Sequence, residues 1–417
     1  MSTVEQESTS EVYQQAIELL YRCSSADGFL ASPTDNTNYR RIWARDGVII
    51  GLAALIAEDA QLIRTFRETL LTLAKFQGPH GEIPSNVDPL SGRVSFGGTT
   101  GRVDADLWFV IGCCEYWLAT EDLEFLEHIV PSIEKVRFLL GAWEFNNRGL
   151  LYVPQTGDWA DEYLHSGYVL YDQLLYYQAQ RAINIIHEHL QGSTDHGLKE
   201  KYTRLKHLIR ANFWLDPASP QTDDIYHANL YEKGLKAEPH CTNTYWMPFF
   251  SPTGYGYRFD AFANVLASLF DMSDEDKQGS VDAHIESIIS DKIKLLPAFH
   301  PVILPMDTDW KELQMTFSFT FKNHPYEFQN GGLWAMISGF YVVDLCRRGK
   351  FELAQQYTQG IDDANAREYQ EQAPGFAEYL HGMSLEPGGT VLQGWSAAAS
   401  VMARQSLLGK RLFRINA

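Results

Sequence analysis

The sequence predicts an all-α fold, a toroid of helical hairpins formed as a single domain over residues 1–417. Three observations predict it. Apolar residues recur at helical spacing from one end of the chain to the other, marking about twelve helices. No stretch shows the apolar–polar alternation of a half-buried strand. Short turns pair the helices, longer segments rich in Gly, Pro, Asp and aromatics lie between the pairs, and no shift in composition marks a linker.

In chain order, helices are expected over about 11–22 and 47–57. In 61–76 the apolar residues Leu62, Ile63, Phe66, Leu70 and Leu73 fall on one helical face. The same spacing predicts helices over 105–119, 123–142, 167–190, 197–212, 258–272, 281–292, 331–347, 351–360 and 392–408. Between them run 77–101, 151–166, 239–257, 296–330 and 372–391, where long loops in a compact domain are usually functional. The architecture repeats although no sequence repeat is visible.

The composition excludes several classes. At 45% hydrophobic and 21% charged, the chain has ample material for a large core. A net charge of −19 with no Lys/Arg cluster repels nucleic acid and anionic membranes, so neither is expected as a partner. Residues 1–7 lack a basic region followed by an apolar run, and no apolar stretch would cross a bilayer. Five cysteines (23, 113, 114, 241 and 346), two adjacent and none in a Cys-x-x-Cys, argue against a disulfide framework or a zinc site. A cytoplasmic protein with no metal and no cofactor is expected; a homo-oligomer is left open. Aromatics at 13%, with ten Trp, suit a sugar cleft as well as a core.

Five segments carry the chemistry. In Trp43-Ala44-Arg45-Asp46-Gly47, Asp46 is placed to cap the helix that follows, while Arg45 adds a forked donor and Trp43 a stacking face, as a sugar subsite needs. In Gly101-Arg102-Val103-Asp104-Ala105-Asp106, negative charge suits the start of a helix, and Asp104 is a candidate for binding sugar hydroxyls. Gly157-Asp158-Trp159-Ala160-Asp161-Glu162 puts three carboxylates within five residues. Their repulsion is expected to keep one protonated, as a general acid requires, with Trp159 as an apolar wall and both Asp158 and Trp159 against the sugar. A solvated acidic turn is the plain alternative. In His324–Trp334, Gln329 and Asn330 offer neutral hydrogen bonds and Gly331-Gly332 a close backbone approach. Near the C-terminus Glu378 lies between Phe376 and Tyr379, ahead of Gln393-Gly394-Trp395-Ser396; Glu386 competes with it. Glycosidic cleavage needs two carboxyl groups, one to protonate the leaving oxygen and one to activate water or attack carbon.

The Arg45-Asp46 turn, Asn330-Gly331-Gly332-Leu333-Trp334 and Gln393-Gly394-Trp395-Ser396 resemble the neutral/alkaline invertases. Val103–Phe109 and Trp159-Ala160-Asp161 are similar to the glucosidase domain of glycogen debranching enzymes. The resemblance runs in one order over about 38–408. It implies an (α/α)6 barrel and an inverting hydrolase, with the family acid on Asp161, the family base on Glu378, and Gln393 and Trp395 closing the sugar pocket. Where the invertase acid is followed by two arginines, this chain has Glu162-Tyr163. The implied substrate is a small neutral carbohydrate, a short α-glucoside that is sucrose-like or α-1,6-linked. Two other readings stay open. One is a non-catalytic sugar-binding protein on the same scaffold. The other is a magnesium-dependent enzyme like the terpene synthases, suggested by Asp158-x-x-Asp161-Glu162.

Overall fold

The computed structural model describes residues 11–35, 37–218, 223–317 and 319–416. Residues 1–7, read above for targeting, lie outside them. The helices are α1 (Glu11–Cys23), α2 (Ala44–Ala57), α3 (Ala60–Lys75), α4 (Val103–Thr120), α5 (Leu123–Ala142), α6 (Leu170–Gln191), α7 (His196–Phe213), α8 (Ala228–Ala237), α9 (Ala261–Leu269), α10 (Glu275–Ile288), α11 (Trp310–Leu313), α12 (Ala335–Arg347), α13 (Phe351–Asn365) and α14 (Gly394–Leu407).

Local sequence sorts them into two layers. Beyond its first turn α2 is Gly-Val-Ile-Ile-Gly-Leu-Ala-Ala-Leu-Ile-Ala, and every residue but the last is buried. A helix apolar on all sides has to be surrounded by protein. In α3 only the face running from Leu62 to Leu73 is buried. The inner helices α2, α4, α6, α9, α12 and α14 each pack on the next, and α14 closes onto α2. The outer helices α1, α3, α5, α7, α10 and α13 surround them. This is the (α/α)6 barrel, and one apolar cluster runs through it.

The two ends of the barrel differ. At one end, turns of two to five residues lead from each of the first five inner helices to the next outer one. Asp59, Asp122, Asp195 and Asp274 cap α3, α5, α7 and α10 there by accepting backbone N–H groups. At the other end six long segments lead from outer to inner helices: 24–43, 76–102, 143–169, 214–260, 289–334 and 366–393. We call them loops 1 to 6. At five of the six inner helices the first N–H donates to a carbonyl of the following loop, and ahead of α12 the N–H of Leu333, two residues before the helix, does the same. Ala44 donates to Ser85 (3.0 Å), Val103 to Gly157 (2.8 Å), Leu170 to Pro248 (2.8 Å), Ala261 to Ala298 (3.2 Å) and Leu333 to Leu380 (2.8 Å). Gly394 donates to Ala31 of loop 1 (2.8 Å) and closes the circle.

Strands of two or three residues also pair antiparallel within and between these loops, in five small sheets. They are too short to show alternation. The helix α8 and the single turn α11 lie inside stretches expected to be loop or left unassigned. The helix expected over 281–292 runs instead over Glu275–Ile288, because Asp274 accepts from Lys277 N–H and starts it early. α2 starts at Ala44, before the predicted 47. Asp46 therefore lies within its first turn and does not cap it.

Candidate active site

Eleven side chains enclose a hollow of about 30 Å³ where the inner helices begin: Tyr39, Trp43, Arg45, Asp46, Trp159, Asp161, Phe328, Gln329, Trp334, Glu378 and Trp395. That is room for about two waters. A larger space of about 430 Å³ lies among Leu269, Arg347, Ser406 and Phe413, at the short-turn end. It contains a single carboxyl group, Asp271, and cannot supply an acid–base pair.

Asp161 comes from loop 3 and Glu378 from loop 6. Three steps apart in a closed ring of six, these loops face each other across the barrel axis. Asp161 accepts from Arg102 (Nη2 to Oδ2, 3.0 Å) and from Gln329 Nε2 (3.4 Å), and 21% of its side chain stays exposed. Glu378 is only 3% exposed. It accepts from Tyr39 Oη (2.9 Å) and Thr390 N–H (2.9 Å). Burial pushes its carboxyl above the usual range, with Lys322 pulling it down and Asp161 adding to the rise. Asp46 is also buried on the wall. Burial raises it to about 7, against the pull of Arg45.

Aromatic rings form the rest of the wall. Trp159 stacks on Phe299 with centroids 5.6 Å apart, and meets Trp334 edge-on at 5.7 Å. Trp334 meets Trp395 at 5.6 Å, and Trp43 stacks on Tyr39 at 6.1 Å. Trp159 Nε1, Trp395 Nε1, Arg45 Nε and Gln393 Oε1 are buried and take no hydrogen bond from the described residues. Of these, the Trp159, Trp395 and Arg45 side chains line the hollow, and Gln393 lies behind it. Phe328, Phe376 and Leu392 have φ of +45°, +41° and +54°, each beside a site segment. Such backbone costs about 1–3 kcal/mol per residue and persists where surroundings enforce it.

Of the residues expected to act here, Trp43, Arg45, Asp46, Trp159, Asp161, Gln329, Glu378 and Trp395 reach the wall. Asp104, Asp158, Asn330 and Gln393 were expected to touch sugar but lie behind it. Asp104 accepts from Arg45 Nη1 (2.7 Å) and Tyr171 Oη (3.2 Å), so it holds Arg45. Gln393 Nε2 donates to Asp46 Oδ1 (2.9 Å). Asn330 spends its amide tying loop 5 to Ile303 and Asn323. Asp158 is fully buried, with His165 Nδ1 3.7 Å away.

The expected repulsion within Asp158-Trp159-Ala160-Asp161-Glu162 is also corrected. The three carboxyls turn to different partners, His165, Arg102 and Lys322 (Nζ to Glu162 Oε1, 3.2 Å). The same divergence removes the basis for reading these acids as one magnesium motif. No group of three or more His, Cys, Asp or Glu among the described residues is arranged to hold a metal ion. Glu386 is exposed and away from the hollow.

Tyr39, Phe328, Trp334, Arg102 and Lys322 were not anticipated. The first four lie inside or beside the segments singled out, so their proximity was available as a signal. Lys322 lies two residues before the segment His324–Trp334, but no residue around it in the chain pairs it with Glu162 or Glu378.

Comparisons with known proteins give the family and the fold. A family model described as alkaline and neutral invertase matches residues 11–410. The chain is 22% identical to alkaline/neutral invertase E, chloroplastic, of Arabidopsis thaliana over 452 residues, covering 95% of this chain and 72% of that protein. It is 23% identical to the same plant's alkaline/neutral invertase C, mitochondrial, covering 89% of this chain and 62% of that one. Among solved structures it resembles a mannosylglycerate hydrolase from Thermus thermophilus in complex with Tris and D-glycerate. The TM-score is 0.63 at 14% identity, over 94% of this chain and 99% of that one. A bacterial glucoamylase complexed with acarbose gives 0.67 at 14% identity, over 100% and 58%. At such identities these two likenesses bear on the fold.

Proposed function

The chain belongs to the alkaline and neutral invertase family, and from that membership we propose that it hydrolyses a short α-glucoside by single displacement, with Asp161 as general acid and Glu378 as general base. Membership makes it an O-glycoside hydrolase. The substrate, the stereochemistry and the assignment of roles are our reading.

One observation carries it: carboxyl groups from facing loops 3 and 6 share one tryptophan-walled hollow. Single displacement needs the two carboxyls roughly 6.5–9.5 Å apart, so that a water fits beside the sugar. Glu378, dry and held by Tyr39 and Thr390, suits a base that takes a proton from that water. Asp161, the more exposed of the two, suits protonation of the leaving oxygen. To carry a proton it has to give up the charge-assisted bond from Arg102, and binding of the leaving group supplies the occasion. The Trp faces stack on the ring, and the Trp and Arg45 N–H groups on the wall donate to its hydroxyls.

Sucrose is the first candidate, from the names of the curated relatives. An α-1,6-linked glucoside stays beside it, because the two positions after Asp161 offer no guanidinium. Glu162 is tied to Lys322, and Tyr163 is buried, stacked on Phe299 at 4.3 Å. A reducing compartment such as the cytoplasm fits five unpaired cysteines, four of them buried. No helix among the described residues is long and apolar enough to cross a membrane.

The test is proton NMR of the first sugar released from sucrose, isomaltose and a limit dextrin. Inversion of an α-glucoside releases β-glucose. Release of the α-anomer, or near-normal turnover by Asp161→Asn, would overturn the reading.

A further inference from the structure

Glu162 and Lys322 sit outside the wall of the hollow and come from different loops, 3 and 5. Glu162 is held in place through its backbone. Its N–H donates to Gln329 Oε1 (3.3 Å), and its carbonyl accepts from Thr316 Oγ1 (2.7 Å) and Asn323 Nδ2 (2.5 Å). Its carboxylate in turn holds Lys322 Nζ at 3.2 Å. The ammonium also lies 4.8 Å from the ring centroid of Phe328, a residue that lines the hollow together with Glu378. A cation so tethered has little freedom to leave.

Arg45 shares the wall with Glu378, but its charge is paired with Asp104 (2.7 Å), and the other titratable groups on that wall are acidic. They are Tyr39 from loop 1, Asp46 from α2 and Asp161 from loop 3. Lys322 is the cation acting on it from loop 5. A base in a dry, acid-lined hollow tends to pick up a proton and lose its function. An opposite charge nearby reverses that tendency.

We propose that Lys322, tethered by Glu162 and lying over Phe328, is a positioning residue whose ammonium keeps Glu378 a carboxylate. The inference rests on Glu378 being the base. It also gives Glu162 a role: the residue beside the proposed acid anchors the cation that serves the proposed base.

The experiment uses the full chain and the variants Lys322→Met, Lys322→Arg and Glu162→Gln. Protonation of Glu378 is read by infrared difference spectra, each protein against its own Glu378→Gln counterpart, across pH. This readout needs no turnover. In Lys322→Met the protonated carboxyl band should persist to higher pH by roughly one unit. Lys322→Arg should restore the wild-type titration, and Glu162→Gln should shift it partway. Where a glycoside is turned over, the acid limb of kcat/KM should move up with the band in Lys322→Met, with KM little changed. If the Glu378 band titrates alike in the wild type and Lys322→Met, the inference is wrong, even if the enzyme is a glycosidase. If the band shifts but no glycoside is cleaved, the electrostatic role stands and the functional reading falls. Glu162→Gln keeps the test open should the lysine variants fold poorly.

Discussion

Gly389 offers a direct test of how tightly the proposed base is held. Its φ is +75°, and a Cβ built there would lie 2.4 Å from Glu378 Oε2 and 2.7 Å from Glu378 Cβ. Ordinary contact begins at 3.4 Å, so Gly389→Ala pushes the carboxylate by about 1 Å. A misplacement of that size costs on the order of 10²-fold in turnover. The left-handed backbone adds about 1 kcal/mol of destabilisation on its own. Gly192 separates the two effects. It closes α6 with φ of +65° and nothing within 4 Å of its virtual Cβ. Gly192→Ala should show the same small loss of stability and keep its turnover. The assay is kcat on whichever glycoside the wild type cleaves best, with thermal unfolding of both variants beside it. If kcat of Gly389→Ala stays within about threefold of Gly192→Ala, Glu378 is not the held catalytic group argued for above.

Three further outcomes follow from the same geometry. Tyr39→Phe removes a donor from the Glu378 carboxylate (2.9 Å); a bond to a charged group is worth about 1.5–3 kcal/mol, so kcat/KM should fall roughly 10- to 100-fold with little change in unfolding temperature. An unchanged kcat/KM would show that this bond plays no part in turnover. Asp260 caps α9 through Ala263 N–H (3.0 Å), and burial raises its carboxyl from 3.8 to about 7. The folded state therefore favours the protonated form, and stability linked to that proton is present below pH 3.8 and lost as pH rises towards 7. Asp260→Asn keeps a capping oxygen, so its stability relative to wild type should climb over that window, by at most about 4 kcal/mol; a difference that does not vary with pH in denaturant titrations would refute this. In the barrel wall, a Cβ at Gly51 falls 2.1 Å from the Phe66 ring, so Gly51→Ala should cost about 1–3 kcal/mol by overpacking, read as a lower unfolding temperature; an unmoved midpoint would mean Phe66 swings aside freely.

The helices were legible in the sequence because helical spacing is repeated evidence. Each of Leu62, Phe66, Leu70 and Leu73 independently marks one face of α3, and all four are buried. The all-apolar run of α2 was read as helical too, but nothing in its pattern says that it is inner. The strands were not legible, because Ile42–Trp43 or Asn86–Val87 is one pleat long. Such strands exist because the loops form a ring, which is a tertiary fact. The candidate site was legible as segments and less so as individual roles. Asp161 and Glu378 were picked out by their neighbours, whereas Asp104 and Asp158 have the same kind of neighbours and face away. Which carboxyl in an acidic run reaches the hollow depends on a turn such as the one where Gly157 N–H meets Pro154 O. Lys322 was invisible, since its role comes from Glu162 and Glu378, residues far from it in the chain.

The acids that precede helices in this chain raise a question that the barrel itself answers. A helix N-terminus favours negative charge whether or not it serves catalysis, so Asp46, Asp59, Asp104 and Asp122 look alike in one dimension. At the short-turn end, Asp59, Asp122, Asp195 and Asp274 do what isolated sequence predicts and accept backbone N–H groups. At the loop end the residues before the inner helices α2, α4, α6, α12 and α14 are Trp43, Arg102, Val169, Trp334 and Gln393, none with a side-chain cap. Only α9 keeps one, Asp260. Carbonyls of the neighbouring loop take over that duty, as Ser85 does for Ala44 and Gly157 for Val103. The acids of the inner first turns are thus released from capping. Asp104 turns to Arg45, and Asp46 reaches the hollow beside Glu378. Helix starts stabilised by loop carbonyls, as five of the six are here, can gather carboxyl groups where a lone helix would spend them on its own backbone. If loop carbonyls do this work, disrupting one link should act at a distance. Ser85→Pro keeps the carbonyl but strains the loop that presents it, and it should raise amide hydrogen exchange at the start of α2 while leaving α7, capped by Asp195, unchanged. Equal exchange at both helix starts would show that the inner helices need no such support.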